Sequence, residues 1–312
     1  PEQGAVARAV GLRKAYGGAV AVDGIDFEIR ARECFGFLGP NGAGKTTTMR
    51  VLACLSPRDA GDVSVLGFDP AESPRALKAR LGVVAQEGNL DLELTVLENM
   101  LVYARYFGLT GPPARARAQD LLELVGLVER AGDTVDRLSG GMKRRLQIAR
   151  SLVNDPDLVL LDEPTTGLDP QARHVVWERL RRLRSEGVSL VLTTHYMDEA
   201  EQLCDRLVIM DHGLIVRRGS PQDLVRSEVG REVLEVRVSD TDASWVVGAL
   251  EENLSGHELH EGLLTLYADD AEALSQQHRR SELPGEIVAA RRATLEDVFL
   301  SITGRTLRDG AD

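Results

Sequence analysis

The chain has 312 residues, room for roughly two domains, and its 43% apolar content supports a sizeable core. Its net charge is −12, and residues 231–312, with 17 acids against 8 bases, carry −9 of it, leaving −3 for residues 1–230. No run approaches the ~18 apolar residues of a membrane span, the negative field opposes nonspecific nucleic-acid binding, and Cys34, Cys54 and Cys204 form neither a metal pattern nor a disulfide framework.

Pro1-Glu2-Gln3-Gly4 lacks the basic region and apolar core of a signal peptide, so a cytosolic protein is expected. Ala5–Val10 and Ile25–Ile29 read as antiparallel strands, the second turning Ile25, Phe27 and Ile29 inward. Cys34–Leu38 reads as a buried strand. It runs into Gly39-Pro40-Asn41-Gly42-Ala43-Gly44-Lys45-Thr46-Thr47, a phosphate-binding loop. The glycines let backbone N–H groups curl around an anion, Lys45 can reach β- and γ-phosphates, and the Thr46 hydroxyl can ligate Mg²⁺. Thr46–Leu55 is predicted to be a helix with its positive end toward the phosphates.

Leu81–Ala85 is a further strand. Thr95-Val96-Leu97-Glu98 is a capping box opening a helix to about Phe107, and Leu121–Val125 ends another. Leu138-Ser139-Gly140-Gly141-Met142 precedes a helix that begins Lys143-Arg144-Arg145. There Ser139 can cap, and the glycines bare N–H groups to an anion. Leu158-Val159-Leu160-Leu161-Asp162-Glu163 is an apolar strand ending in two carboxylates. Asp162 is placed to hold Mg²⁺, and Glu163 to polarise an attacking water. Pro170 opens a helix that Ser185-Glu186-Gly187 closes, and Val188–Thr193 and Leu207–Met210 are the last strands of this part. Continuous apolar strands alternating with helices define a mixed α/β domain around a parallel sheet.

A boundary is expected near Ser227–Arg231, with residues 1–229 as one domain and 230–312 as a small acidic accessory domain. The latter reads βαββαβ: Val233–Val238, Ser244–Glu251, Glu258–His260 and Leu263–Tyr267 turning at Glu261-Gly262, a helix from Ala271, and Glu286–Ala290. This is the order of a split-βαβ α+β sandwich. Thr294–Thr303 is a short helix placed to pack back on the first domain. His257 and His260, flanked by Glu258 and Glu261, sit on a hairpin and read as a solvated acidic surface, not a metal site.

On these motifs the chain resembles the ATP-binding subunits of ATP-binding cassette (ABC) transporters, a P-loop NTPase fold. Seven motifs match in order over residues 12–220. The resemblance implies the following roles. Tyr16 stacks on adenine. Asn41, Gly42, Gly44, Lys45, Thr46 and Thr47 hold phosphate. Gln86 contacts Mg²⁺ and the water, Asp162 holds Mg²⁺, and Glu163 is the base. His195 contacts the γ-phosphate. Asp169, in Gly167-Leu168-Asp169, couples two sites. Ser139 and Gly141 of one subunit complete the ATP site of the other. Residues of about 90–155 form a helical subdomain. A homodimer that clasps ATP is therefore expected, with excluded water strengthening the amide–anion contacts.

Two stretches narrow the resemblance to ABC-2-type exporters, near the nodulation-factor export and daunorubicin-resistance ATPases. They are Asn89-Leu90-Asp91-Leu92-Glu93-Leu94-Thr95-Val96 and Ala104-Arg105-Tyr106-Phe107-Gly108-Leu109. Thr194-His195-Tyr196-Met197-Asp198-Glu199-Ala200-Glu201 and the tail, Thr294-Leu295-Glu296-Asp297-Val298-Phe299-Leu300 with Thr303-Gly304-Arg305, fit the same group. Glu87-Gly88 departs from the Phe-Asp expected before Asn89 in the nodulation subgroup. The resemblance implies an integral-membrane permease partner and a peripheral place on the inner face of the cell membrane. It also implies a cargo such as a drug, lipo-oligosaccharide or glycolipid. Leu101, Tyr103, Tyr106 and Phe107 could meet the permease's coupling helix; alternatively, Leu101, Val102 and Phe107 are core. A non-transport ABC ATPase acting in translation or repair is the alternative. It is opposed by a single phosphate loop and by the short span from Gln86 to Ser139.

Overall fold

The computed structural model describes residues 4–86 and 88–303. Pro1-Glu2-Gln3, Glu87 and the Gly304-Arg305 end of the tail pattern therefore lie outside the described residues. The chain divides into two compact units between Arg218 and Gly219.

The first unit opens with β1 (Ala5–Tyr16) and β2 (Ala19–Arg30), both longer than the apolar pattern predicts. Next come β3 (Cys34–Leu38), α1 (Lys45–Leu52), β4 (Ala60–Val65), α2 (Pro74–Lys78) and β5 (Leu81–Val84). α3 (Val96–Tyr106), α4 (Gly111–Leu124) and α5 (Gly140–Ser151) then pack on one another before the chain returns to the sheet. The unit closes with β6 (Leu158–Asp162), α6 (Pro170–Ser185), β7 (Ser189–Thr194), α7 (Met197–Leu203), β8 (Arg206–Asp211) and β9 (Leu214–Gly219). Strands β2-β1-β4 form an antiparallel sheet. The six-stranded sheet runs β5-β6-β7-β3-β8-β9, with β5, β6, β7, β3 and β8 parallel.

The central parallel strands β3, β6 and β7 are fully buried and mostly apolar, as helices on both faces require. Phe27 of β2 meets Phe35 and Phe37 of β3, edge-on to Phe37 at 5.1 Å, and so fastens the two sheets together. Each well-placed aromatic pair adds about 0.5–1.5 kcal/mol beyond area burial. Register then levels the strand ends: Leu38 pairs with Thr194, and Asp162 with Thr193. The carboxyl edge of β3, β6 and β7 is thus a shelf, the place where open α/β sheets bind ligands.

The second unit holds α8 (Pro221–Glu228), β10 (Glu232–Arg237), α9 (Asp240–Leu250), β11 (Gly256–His260), β12 (Leu263–Ala268), α10 (Ala271–Arg280), β13 (Glu286–Arg292) and α11 (Leu295–Thr303). From β10 to β13 the order is βαββαβ, on an antiparallel sheet β11-β12-β10-β13. Leu234, Val236, Leu264 and Leu266 of the sheet share a core with Val246 and Leu250 of α9 and Leu274 of α10. α11 buries Leu295, Val298 and Phe299 and packs against α8. An amphipathic helix takes the nearest apolar surface, and here that surface is a helix within residues 1–229 that belongs to the second compact unit.

Candidate ATP-binding and hydrolysis site

The loop between β3 and α1 is fixed by backbone geometry. Gly44 has φ +102°, and a Cβ there would lie 2.5 Å from the Ala21 carbonyl oxygen. One on Gly39 would lie 2.2 Å from that of Met210. Only glycine fits where backbone passes backbone this closely. The loop lines a cavity of about 590 Å³ with Asn41, Gly42, Gly44, Lys45, Thr46 and Thr47 on one side and Gln86, Glu163 and His195 on the other.

Lys45 is buried, and its ammonium donates to the carbonyls of Gly39 (2.7 Å) and Pro40 (2.9 Å). Burial pulls its pKa down, against the opposing pull of Glu163, whose Oε1 is 4.0 Å away, and of Asp162. A cation held by neutral carbonyls in a dry wall gains strongly from an incoming polyanion.

Glu163, directly after β6, gathers the rest of the cavity. Its Oε1 is 3.3 Å from His195 Nδ1, while its Oε2 accepts from Thr166 Oγ1 (3.0 Å) and Gln86 Nε2 (3.2 Å). The bond to His195 is the chief reason its pKa lies below the usual glutamate value; burial opposes, and Thr166 and Lys45 add to the lowering. Its backbone has φ +46° and is held by N–H bonds to the carbonyl and hydroxyl of Thr193.

Asp162 Oδ1 accepts from Thr46 Oγ1 (3.1 Å) and from Thr193 Oγ1. Among the described residues no group of three or more His, Cys, Asp or Glu could hold a metal ion. The Thr46 hydroxyl, the Asp162 carboxylate and the nearby Gln86 amide are hard oxygen donors. That set fits Mg²⁺, which keeps waters and phosphate oxygens in its shell and needs no cage of protein ligands.

Besides Asp162, which reaches the cavity through Thr46, four expected site residues stand apart from its wall. Tyr16 ends β1, is 46% exposed, bonds through its hydroxyl to Ser56 (3.0 Å) and has Lys14 Nζ over its ring at 5.1 Å. Ser139 caps α5 by accepting from Met142 N, and Asp169 caps α6 by accepting from Ala172 N. A Cβ on Gly141 would lie 3.0 Å from that of Ala172, so the glycine start of α5 is fitted against α6. Ser139, Gly140 and Gly141 are not covered: the first two are exposed.

The structure adds residues that sequence reasoning passes over. Thr193 ties both carboxylate-bearing residues together. Glu199, fully buried, accepts from Thr165 Oγ1 (2.7 Å) and Trp177 Nε1 (3.1 Å), joining the segment after Glu163 to α6, and burial pushes its pKa up. Arg144, in the basic triplet after the glycines, is buried too. A threonine in a strand and an arginine among basic residues carry no pattern of their own.

A phosphate loop, a strand-end carboxylate pair, a switch-like histidine and a capped glycine turn on this α/β shelf define an ATP-binding cassette ATPase. A family model described as "ABC transporter" matches residues 22–166. The chain is 46% identical to a protein of Burkholderia orbicola named "Nod factor export ATP-binding protein I", over 96% of this chain and 97% of that one. It is 47% identical to a protein of the same name from Ralstonia nicotianae, over 96% and 94%. Among solved structures it resembles the ATP-binding cassette MJ0796 in a dimeric post-hydrolysis state bound to ADP and Pi. There the TM-score is 0.63 at 27% identity, over 69% of this chain and 98% of that one. It also resembles cbiO1 of Clostridium perfringens, with TM-score 0.66 at 26% identity, over 72% and 91%. The chain belongs to the ABC transporter ATP-binding proteins, and within them it is an exporter ATPase.

Proposed function

We propose that this chain hydrolyses ATP as a nucleotide-sandwiched homodimer beneath a separate membrane permease of an ABC-2-type exporter. The observation that carries this reading is the Glu163 carboxylate, gripped by His195, Thr166 and Gln86 at the mouth of the phosphate loop. Loop N–H groups and Lys45 bind the triphosphate, with Lys45 exchanging two carbonyls for phosphate oxygens. Thr46 and Asp162, with Gln86 beside them, would hold Mg²⁺, which when bound would supply neutralisation of phosphate charge.

Glu163 holds and polarises water. The water oxygen bonds to γ-phosphorus, the bond to the β–γ bridging oxygen breaks, and the water's proton passes to Glu163 or to the phosphate formed. A carboxylate with a lowered pKa is a weak base, adequate for the loose transition state of phosphoryl transfer, where orientation matters more than early deprotonation. Ser139 and Gly141 of a second copy would cap the γ-phosphate, Asp169 would couple the two sites, and Tyr16 would stack on adenine.

We place the ATPase in residues 1–229, its helical subdomain in about 90–155, and an accessory role in 230–312. No described helix is long and apolar enough to cross a membrane, so the permease supplies the path. Its docking surface is the outer face of α3, where Tyr106 is 80% exposed and the Tyr103 ring meets that of Phe107, tilted, at 5.4 Å. Beside it lies a groove of about 1090 Å³. The α3 residues that are buried are Val96, Asn99, Met100 and Ala104, not the aromatics. The relatives' names favour a Nod factor or related lipo-oligosaccharide as cargo.

Glu163→Gln tests the reading. It keeps the size and one acceptor oxygen but turns the other into an NH2 donor and removes the base. The variant is expected to bind MgATP, to hydrolyse it at a small fraction of the wild-type rate, and to accumulate as a dimer on gel filtration. Wild-type hydrolysis, or a strictly monomeric variant with MgATP both alone and with the permease, overturns it.

A further inference from the structure

Arg144 lies on the buried face of α5, in its second turn, and only 8% of it is exposed. All five of its N–H donors have acceptors. Nε donates to the Pro164 carbonyl (2.8 Å), one terminal nitrogen to the Ala85 carbonyl (2.7 Å) and Gln147 Oε1 (2.8 Å), and the other to the carbonyls of Asp162 (2.6 Å) and Glu163 (2.9 Å). Four of these acceptors are backbone, at the ends of β5 and β6. Ala85 directly precedes Gln86, and Asp162, Glu163 and Pro164 include the base and both its neighbours. Burial pulls the guanidinium down to about 10, with Glu199, Asp162 and Glu163 opposing, so it stays charged at neutral pH.

The same helix presents Ser139 and Gly141 at its free end, one turn from Arg144. A helix moves as a rod, and a planar fork with every donor engaged leaves little slack. We propose that Arg144 is a positioning residue through which the glycine turn, on meeting the nucleotide of a second copy, sets Gln86 and Glu163 of its own subunit. Each ATP site would then report its occupancy to the base of the other. The proposal rests on the dimer reading above and adds to it a named mechanical link.

Lysine keeps the charge but offers a point cation with three donors on a flexible stem, so it cannot hold four carbonyls at once. Full-length Arg144→Lys and Arg144→Met are compared with wild type in steady-state hydrolysis across ATP concentrations, MgATP affinity and thermal melting. Each is also combined with Glu163→Gln for gel filtration. The wild type is expected to depend sigmoidally on ATP, and the Lys variant to lose that dependence and roughly tenfold or more in kcat, with MgATP affinity kept within about threefold. The Met variant is expected to lose more kcat, and both are expected still to form the MgATP dimer when combined with Glu163→Gln.

Wild-type kcat and cooperativity in Arg144→Lys overturn the proposal. So does a parallel loss of MgATP affinity or a collapse in melting temperature in both variants, which marks plain core support. If Glu163→Gln alone fails to dimerise, the dimer reading falls first, and the link falls with it.

Discussion

His195 Nδ1 stands 3.3 Å from Glu163 Oε1, across the neighbouring ends of β7 and β6. The contact is the leading cause of the lowered Glu163 pKa, so the histidine holds the proposed base ionised as well as in place. His195→Ala removes a partner of the charged form, and the Glu163 pKa must rise. Hydrolysis is expected to fall by about 10²-fold, and the acid limb of the residual pH–rate profile to move to higher pH. An acid limb unchanged from wild type refutes this pairing.

Lys45 separates stability from binding. It is buried against carbonyls with its pKa pulled down, so in the absence of nucleotide it is a cost to the fold. Lys45→Met removes that cost but leaves Glu163, 4.0 Å away, and the two carbonyls without their cation, so the nucleotide-free melting temperature is expected to be unchanged or lower. The upward shift that MgATP gives the wild type is expected to vanish. Calorimetric scans with and without MgATP decide, and a retained shift counts against the assigned role.

Thr193 donates to Asp162 and receives the Glu163 N–H. Thr193→Val keeps the shape and removes the hydroxyl. A loss of about 1–3 kcal/mol is expected in urea unfolding, since buried polar atoms lose a partner. A roughly tenfold drop in kcat should accompany it as the two carboxylates loosen. Full activity in a destabilised variant would confine Thr193 to the fold.

Asp297 anchors the second unit. Its burial raises the pKa, but two bonds from Arg291 at 2.8 Å and one from Thr294 N outweigh it, and the net shift is downward. A folded-state pKa below the unfolded 3.8 gives stability that is complete above about pH 4–5 and fades as pH falls through the folded value. Asp297→Asn is expected to cost about 2–3 kcal/mol at pH 7, Arg291 keeping Glu235 as a partner. The gap to wild type narrows in acid. A gap that stays constant down to about pH 3 contradicts the pairing.

Truncation after Arg218 removes the second unit at its boundary. The remaining cassette is expected to bind MgATP with affinity near that of the full chain. We expect it to assemble poorly with its mate or permease, as co-purification would report. Normal assembly excludes an accessory role for residues 230–312 in docking.

Much of this was legible because the chemistry sits in contiguous strings. The glycines of the phosphate loop, the apolar run into Asp162-Glu163 and the Thr95–Glu98 capping box are local patterns, and a local pattern predicts its own backbone. β4 was missed because Ala60-Gly61-Asp62-Val63-Ser64-Val65 offers only Val63 and Val65 as inward residues, and it becomes a strand by pairing with β1. β9 and the short helices α2, α7 and α8 are similarly brief. Arg144 and Glu199 lie beyond sequence reasoning for another reason. The backbone acceptors of Arg144 are 18–59 residues away and the donors to Glu199 22–34, so only the assembled sheet shows that these charges are inside.

Glu163 sits at φ +46°, where side chains other than glycine, asparagine and aspartate pay a torsional penalty. The residue proposed as the base therefore sits on a strained link of the chain. Asparagine or glycine there would relax the backbone but would leave Gln86, Thr166 and the buried Lys45 without the carboxylate they face, so the strain is held in place by the same contacts that arrange the site.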